Sequence, residues 1–164
     1  MRTLLTALFA LFCLGCQQNP KLREPPTAEM IAEATAVRCK GHGSGGNQVD
    51  CTIDVNIIET GAKCSVRVPT DQDEVLFDRK GRRLILWQIQ SHADGYRFTE
   101  DGIAFKSGLD PLGNFTDGGT GPMGQVYFWR NRNSAFDVGS YPYSVKVENA
   151  AKNIKCGWDP RINN

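Results

Sequence analysis

From residue 49 onward, apolar and polar side chains alternate. Val49, Cys51, Ile53, Val55 and Ile57 occupy one phase, and Asp50, Thr52, Asp54 and Asn56 the other. A period of two puts the two sets on opposite faces of a strand. The same phase returns in Cys64, Val66 and Val68, which Pro69 ends, in Tyr141, Tyr143, Val145 and Val147, and in Ile154, Cys156 and Trp158. Leu84 to Ile89 is apolar in both phases, which predicts a central strand covered on both sides. Ile103 to Phe105 is a short run, and Val126 to Arg130 is rich in aromatics. Turn pairs such as Thr60-Gly61, Lys80-Gly81, Asp94-Gly95, Asp101-Gly102 and Val138-Gly139 separate the runs. Thr27 to Ala36 fits either a short helix capped by Thr27 or a lead-in to the first strand. No long helical period follows residue 40. The pattern predicts an all-β fold, an antiparallel sandwich of about seven to nine strands.

The first sixteen residues follow a different rule. Arg2 precedes an apolar run, Leu4 to Leu14, that ends at Gly15-Cys16. That run is shorter than the ~20 residues a membrane-spanning helix needs, and the layout is that of an export leader. Gly15-Cys16 resembles the lipobox of bacterial lipoproteins, with Cys13 and Leu14 standing where that family has Leu and then Ala or Ser. The resemblance implies cleavage after Gly15 and acylation of Cys16, so that the membrane becomes a partner through an N-terminal lipid. Gln17 is not the Asp that marks inner-membrane retention in that family, which implies the outer membrane. The expected organisation is a leader at 1–15, a lipid anchor and tether at 16–26, and a sandwich domain at 27–164. Without Arg2 the chain is formally neutral, because the full sequence carries 19 basic and 18 acidic residues. Nucleic acid is excluded as an expected partner, since phosphate binding needs a basic surplus.

Cysteine parity agrees with export. Six cysteines less Cys13 in the leader and an acylated Cys16 leave Cys39, Cys51, Cys64 and Cys156 for disulfides. Four cysteines allow three pairings. Cys39 and Cys51 flank Ser44-Gly45-Gly46 symmetrically, as hairpin arms would, which leaves Cys64 with Cys156. There is no Cys-x-x-Cys, and only two histidines are present to complete a zinc site.

Val126-Tyr127-Phe128-Trp129-Arg130-Asn131 and Gly139-Ser140-Tyr141-Pro142-Tyr143-Ser144-Val145 resemble the C-terminal strands of cupredoxins. The resemblance implies a cupredoxin-like sandwich, and the strand pattern by itself also allows an immunoglobulin-like one. Val145 stands where the copper cysteine would be and no histidine follows, so neither copper nor any other metal or cofactor is expected. Val37-Arg38-Cys39 is also similar to the Tyr-x-Cys start of lipoprotein inhibitors of c-type lysozyme.

Candidate chemistry is sparse. Gly41-His42-Gly43-Ser44-Gly45-Gly46 lacks the Gly-x-Ser-x-Gly of a nucleophile elbow and reads as a hairpin tip. His92 beside Asp94 reads as a turn without a nucleophile. Asp71, Asp73 and Glu74, or Asp110, Asn114 and Asp117, offer carboxylates and oxygens but no EF-hand spacing. The segment 107–124 carries six glycines and reads as a mobile loop. Arg79-Lys80-Gly81-Arg82-Arg83 reads as a solvated turn. Tyr127 and Trp129 share one phase. With Phe128 turned to the core they would form an outward platform beside Arg130 and Asn131, suited to envelope polysaccharide or an extended peptide. The expectation is a non-enzymatic, lipid-anchored binding module. An envelope hydrolase and an inhibitor of a lytic enzyme are the alternatives.

Overall fold

The computed structural model describes residues 26–40, 50–77, 81–90, 95–106, 113–133 and 139–163. The leader, Cys16 and the tether to residue 25 lie outside these, as do His42, Ser44, Arg79, Lys80, His92, Asp94 and Asp110.

Helix α1 (Ala28–Ala36) opens the described chain, and the Thr27 hydroxyl accepts a hydrogen bond from the Met30 amide at 3.3 Å. Two mixed sheets follow. The first runs β2 (Lys63–Arg67), β1 (Cys51–Thr60), β4 (Arg83–Ile89), β7 (Val126–Asn131), β6 (Phe115–Thr120). The second runs β3 (Glu74–Leu76), β10 (Arg161–Asn163), β8 (Ser140–Asn149), β5 (Arg97–Phe105), with β9 (Ile154–Trp158) also paired to β8.

The sandwich is therefore mixed rather than antiparallel, and ten strands are described rather than seven to nine. Strand β1 lies parallel to β4, with Cys51 opposite Ile85 and Val55 opposite Ile89. The reason is connectivity: after the β1–β2 hairpin the chain visits the second sheet as β3, then returns to the free side of β1. The extra strands, β3 and β10, are three residues each and too short to show a period.

Alternation sorts the faces as expected. Ile53, Val55, Ile57, Ile85 and Trp87 meet Phe98, Ile103, Tyr143, Val145 and Val147 in one core between the sheets. The doubly apolar β4 has its other phase, Leu84 and Leu86, under α1, where Ala34, Ile31 and Met30 cover it together with Phe128. Thr52 donates its hydroxyl to the Ala34 carbonyl at 3.0 Å and so fastens α1 to the sheet.

Cys39 is bonded to Cys51, and Cys64 to Cys156. The first bridge does not close a described hairpin. Arg38 pairs with Thr52 in parallel, the Cys39 amide donating to the Thr52 carbonyl at 3.0 Å, while residues 41–49 lie outside the described set. The second bridge ties β2 in one sheet to β9 in the other. Two bridges indicate an extracellular or periplasmic domain.

Candidate cleft between the two sheets

Opposite the Cys64–Cys156 edge, the sheets part between β5 and β6–β7. Strand β7 faces the reverse of the way its aromatics were expected to face. Phe128 lies under α1, while Tyr127 and Trp129 point between the sheets. Tyr127 is 4% exposed. No outward platform forms, because both faces of the first sheet are covered, one by α1 and one by the second sheet. Arg130 is half-buried on the outer face, its Nε 3.9 Å from the Asp117 carboxylate. Asn131 is fully buried and its Oδ1 accepts the Asn133 amide at 3.0 Å. Of the four residues expected to bind together, Tyr127 and Trp129 share the gap, whereas Arg130 and Asn131 do not reach it.

The gap is a cleft of about 390 Å³, open to solvent and lined by Phe105, Phe115, Tyr127, Trp129, Ile103 and Ala104, with Glu100 and Asp101 at its rim. The rings form a ladder. Phe105 stacks on Phe115 at 3.6 Å between centroids and meets Trp129 edge-on at 5.6 Å. Two donors on β7 cross the gap to the backbone of β5. The Tyr127 hydroxyl donates to the Glu100 carbonyl at 3.1 Å, and Trp129 Nε1 donates to the Ile103 carbonyl at 2.9 Å. They hold this side of the sandwich together by side chains, where the sheets themselves do not pair.

Both walls carry an irregularity. The β5–β8 register shifts between Phe98 and Ile103, and the β6–β7 register shifts between Thr116 and Gly119. Such bulges re-aim side chains and recur beside binding sites. In β6, Asp117 has φ +56° and Gly118 lies flat against the Trp129 indole, so that a Cβ there would enter the ring. In β5, a Cβ on Gly102 would fall 2.7 Å from the Phe98 Cβ.

The rim is negative. The Lys146 ammonium, and then the Thr99 hydroxyl, hold the Asp101 carboxyl below its usual range. Burial raises the Tyr127 phenol, and the charges of Asp101 and Glu100 raise it further. The acidic field thus reaches into the cleft.

No family model matches the chain, and no curated protein matches it in sequence.

The other candidate residues do not converge. Asn114 is buried and donates to the Tyr141 hydroxyl at 2.7 Å, whereas Asp117 sits with Arg130 on the outer face. Asp73 and Glu74 share a smaller cleft of about 180 Å³ with Trp158, Asp159 and Arg161, and Asp71 is exposed outside it. There, Glu74 accepts from Asn163 and Asp159 pairs with Lys106, each at 3.1 Å. Among the described residues, no group of three His, Cys, Asp or Glu side chains is placed to hold a metal. Glu100, Asp101 and Phe115 escape a reading by period, and Ala104 and Phe105 show only as part of a short run with nothing to mark them as a site. Asp101-Gly102 looks like a turn but lies inside β5, and the glycines after Asp117 look like a loop but build β6.

Proposed function

We propose that this chain is a lipid-anchored, non-enzymatic binding module of the bacterial envelope, and that its cleft between β5 and β6–β7 holds an extended polypeptide segment of a partner. The observation that carries this reading is the cleft itself, floored by aromatic rings and walled by two bulged strands. A peptide fits better than a polysaccharide. Stacking on a sugar needs a free ring face with polar groups beside it. One face of Trp129 is taken by Gly118, and its only donor is spent on Ile103. By contrast, β5 is a sheet edge. The Lys106 amide donates to Pro142 of β8 at 3.1 Å, so strand alternation turns the backbone groups of Ile103 and Phe105 away from β8 to the free edge, where the Ile103 carbonyl already accepts from Trp129 and the Phe105 groups stand beside it. An extended chain can pair there while its side chains enter the ladder.

The test is amide chemical-shift mapping with two probes, capped extended pentapeptides and peptidoglycan oligosaccharides. Shifts at 100–105 with the peptides, abolished by Ala104→Trp, are expected. Shifts with the saccharides alone, or none in β5, overturn the reading. Anchoring is tested separately: Cys16→Ser removes the acyl mass and releases the protein from membranes, and retention of either sinks that part.

The inhibitor reading has one observation in its favour. The turn Gly121–Gly124 is closed by hydrogen bonds from Gly121 to Val126 at 2.7 Å and from Gly124 to Gly121 at 3.1 Å. At its tip Met123 is 84% exposed with φ +57°. An apolar side chain held at positive φ in a hydrogen-bonded tip adds no core packing, and it suits insertion into an enzyme cleft. Inhibition of a c-type lysozyme that Met123→Asp abolishes would support this reading, and a wild-type protein without inhibition would remove it.

A further inference from the structure

We infer that the cleft selects a basic side chain, lysine or arginine, whose methylenes lie on Phe105 and Trp129 and whose cation meets the carboxylates of Glu100 and Asp101. The inference rests on the peptide-binding reading and adds the chemistry of the residue bound.

Charge balance around the rim is the first argument. Glu100 is exposed, and among the described residues its carboxylate makes no ion pair. Among the described residues Asp101 pairs with one cation, Lys146, and its other oxygen accepts from the neutral Thr99 hydroxyl. Two carboxylates at the rim with one ammonium, on Asp101, leave it negative. The other nearby cations are committed elsewhere: Arg97 to Glu148 at 2.9 Å, Lys106 to Asp159 at 3.1 Å, and Arg130 toward Asp117. Among the described residues no further cation is placed at the rim, and a basic side chain of the ligand would complete it.

The floor is the second argument. Phe105 and Trp129 are half-buried, so they present apolar surface that a bare cation would not use. Lysine and arginine bury their stems on such surface while the head stays polar, and a cation near an aromatic ring is attracted to it as well. The carboxylates stand at the mouth and the rings beneath, which matches the order of charge and stem in a basic side chain. The field that raises the Tyr127 phenol has the sign this requires. An acidic ligand would meet the same field unfavourably.

The experiment compares three capped pentapeptides that differ only at the central residue, lysine, glutamine or glutamate, in flanks of alternating valine and threonine. Their affinities are read by titration of the amide shifts at 100–105. The lysine peptide should bind about fivefold to tenfold tighter than the glutamine peptide, and added salt should narrow the gap. Glu100→Gln, an exposed change whose folding is checked by thermal melting, should bring the two together without weakening the glutamine peptide. Equal binding of all three peptides with shifts still at 100–105 leaves the cleft reading standing and overturns the cation. A lysine preference untouched by both Glu100→Gln and Asp101→Asn overturns it too. If no peptide shifts β5, the cleft reading falls and this inference falls with it.

Discussion

Gly118 is where a single methyl group does most harm to the cleft. A Cβ there would enter the Trp129 ring, which β7 and the hydrogen bond to Ile103 hold in place. Gly118→Ala should cost about 1 to 3 kcal/mol by overpacking and should alter the Trp129 emission. Urea unfolding together with fluorescence checks it, and a variant as stable as wild type would mean that the ring has another place to go. Three buried phenols give a second prediction. Burial, and then Glu59, raise Tyr96 to about 12, while Tyr127 and Tyr143 are raised chiefly by burial. An unfolded tyrosine loses its proton near pH 10. The stability these groups contribute is therefore complete below about pH 10 and is lost as pH climbs through their folded values. Urea midpoints should fall steeply in that range, and Tyr143→Phe should flatten the fall. Neither effect is legible in a one-dimensional pattern. Alternation places Tyr143 inward but does not reveal that its hydroxyl is sealed, and nothing in the residues near 118 names Trp129 as their neighbour.

Elements were legible in proportion to their regularity. Strands β1, β2, β4 and β8 alternate cleanly, or are wholly apolar, and their inward residues are those expected. The strands that bound the cleft are the irregular ones. Strand β5 contains a glycine where the register slips, and β6 contains a residue of positive φ followed by two glycines, so both imitate turns. The cleft is therefore half legible: alternation puts its tyrosine and tryptophan on one shared face without saying that this face turns inward, and it leaves the acidic wall hidden. The disulfides allow a test at this scale. Cys64–Cys156 spans 92 residues and joins two sheets, whereas Cys39–Cys51 spans 12 and is wholly buried. Loop-closure entropy gives the longer bridge about 4 to 5 kcal/mol and the shorter about 3 kcal/mol. The half-buried sulfurs of Cys64 and Cys156 should also be reduced first by a mild thiol. Mass mapping after timed reduction and alkylation tests this order, and release of Cys39 and Cys51 first would contradict it.

At the scale of the whole molecule, the two long sides of the sandwich are closed by unlike means. One side has a covalent tie between β2 and β9. The other, among the described residues, has no covalent tie: two side-chain hydrogen bonds from Tyr127 and Trp129 to the backbone of β5, and ring contacts such as Phe105 on Phe115, hold it. A hydrogen bond contributes about 0.5 to 1.5 kcal/mol net, so the second side is the one that can open under thermal motion without unfolding the rest. A binding edge needs this property, because a chain that pairs with β5 has to enter where the aromatic donors now reach across. Tyr127→Phe with Trp129→Phe removes both donors and keeps most of the apolar floor. Hydrogen exchange should then quicken at 100–105 while the amides of β1, β2 and β8 stay protected, because their ladders and the disulfide are untouched. A uniform loss of protection would show that the two bonds support the whole fold. Unchanged exchange in β5 would show that this side is held shut by ring packing, leaving the donors no part in controlling entry.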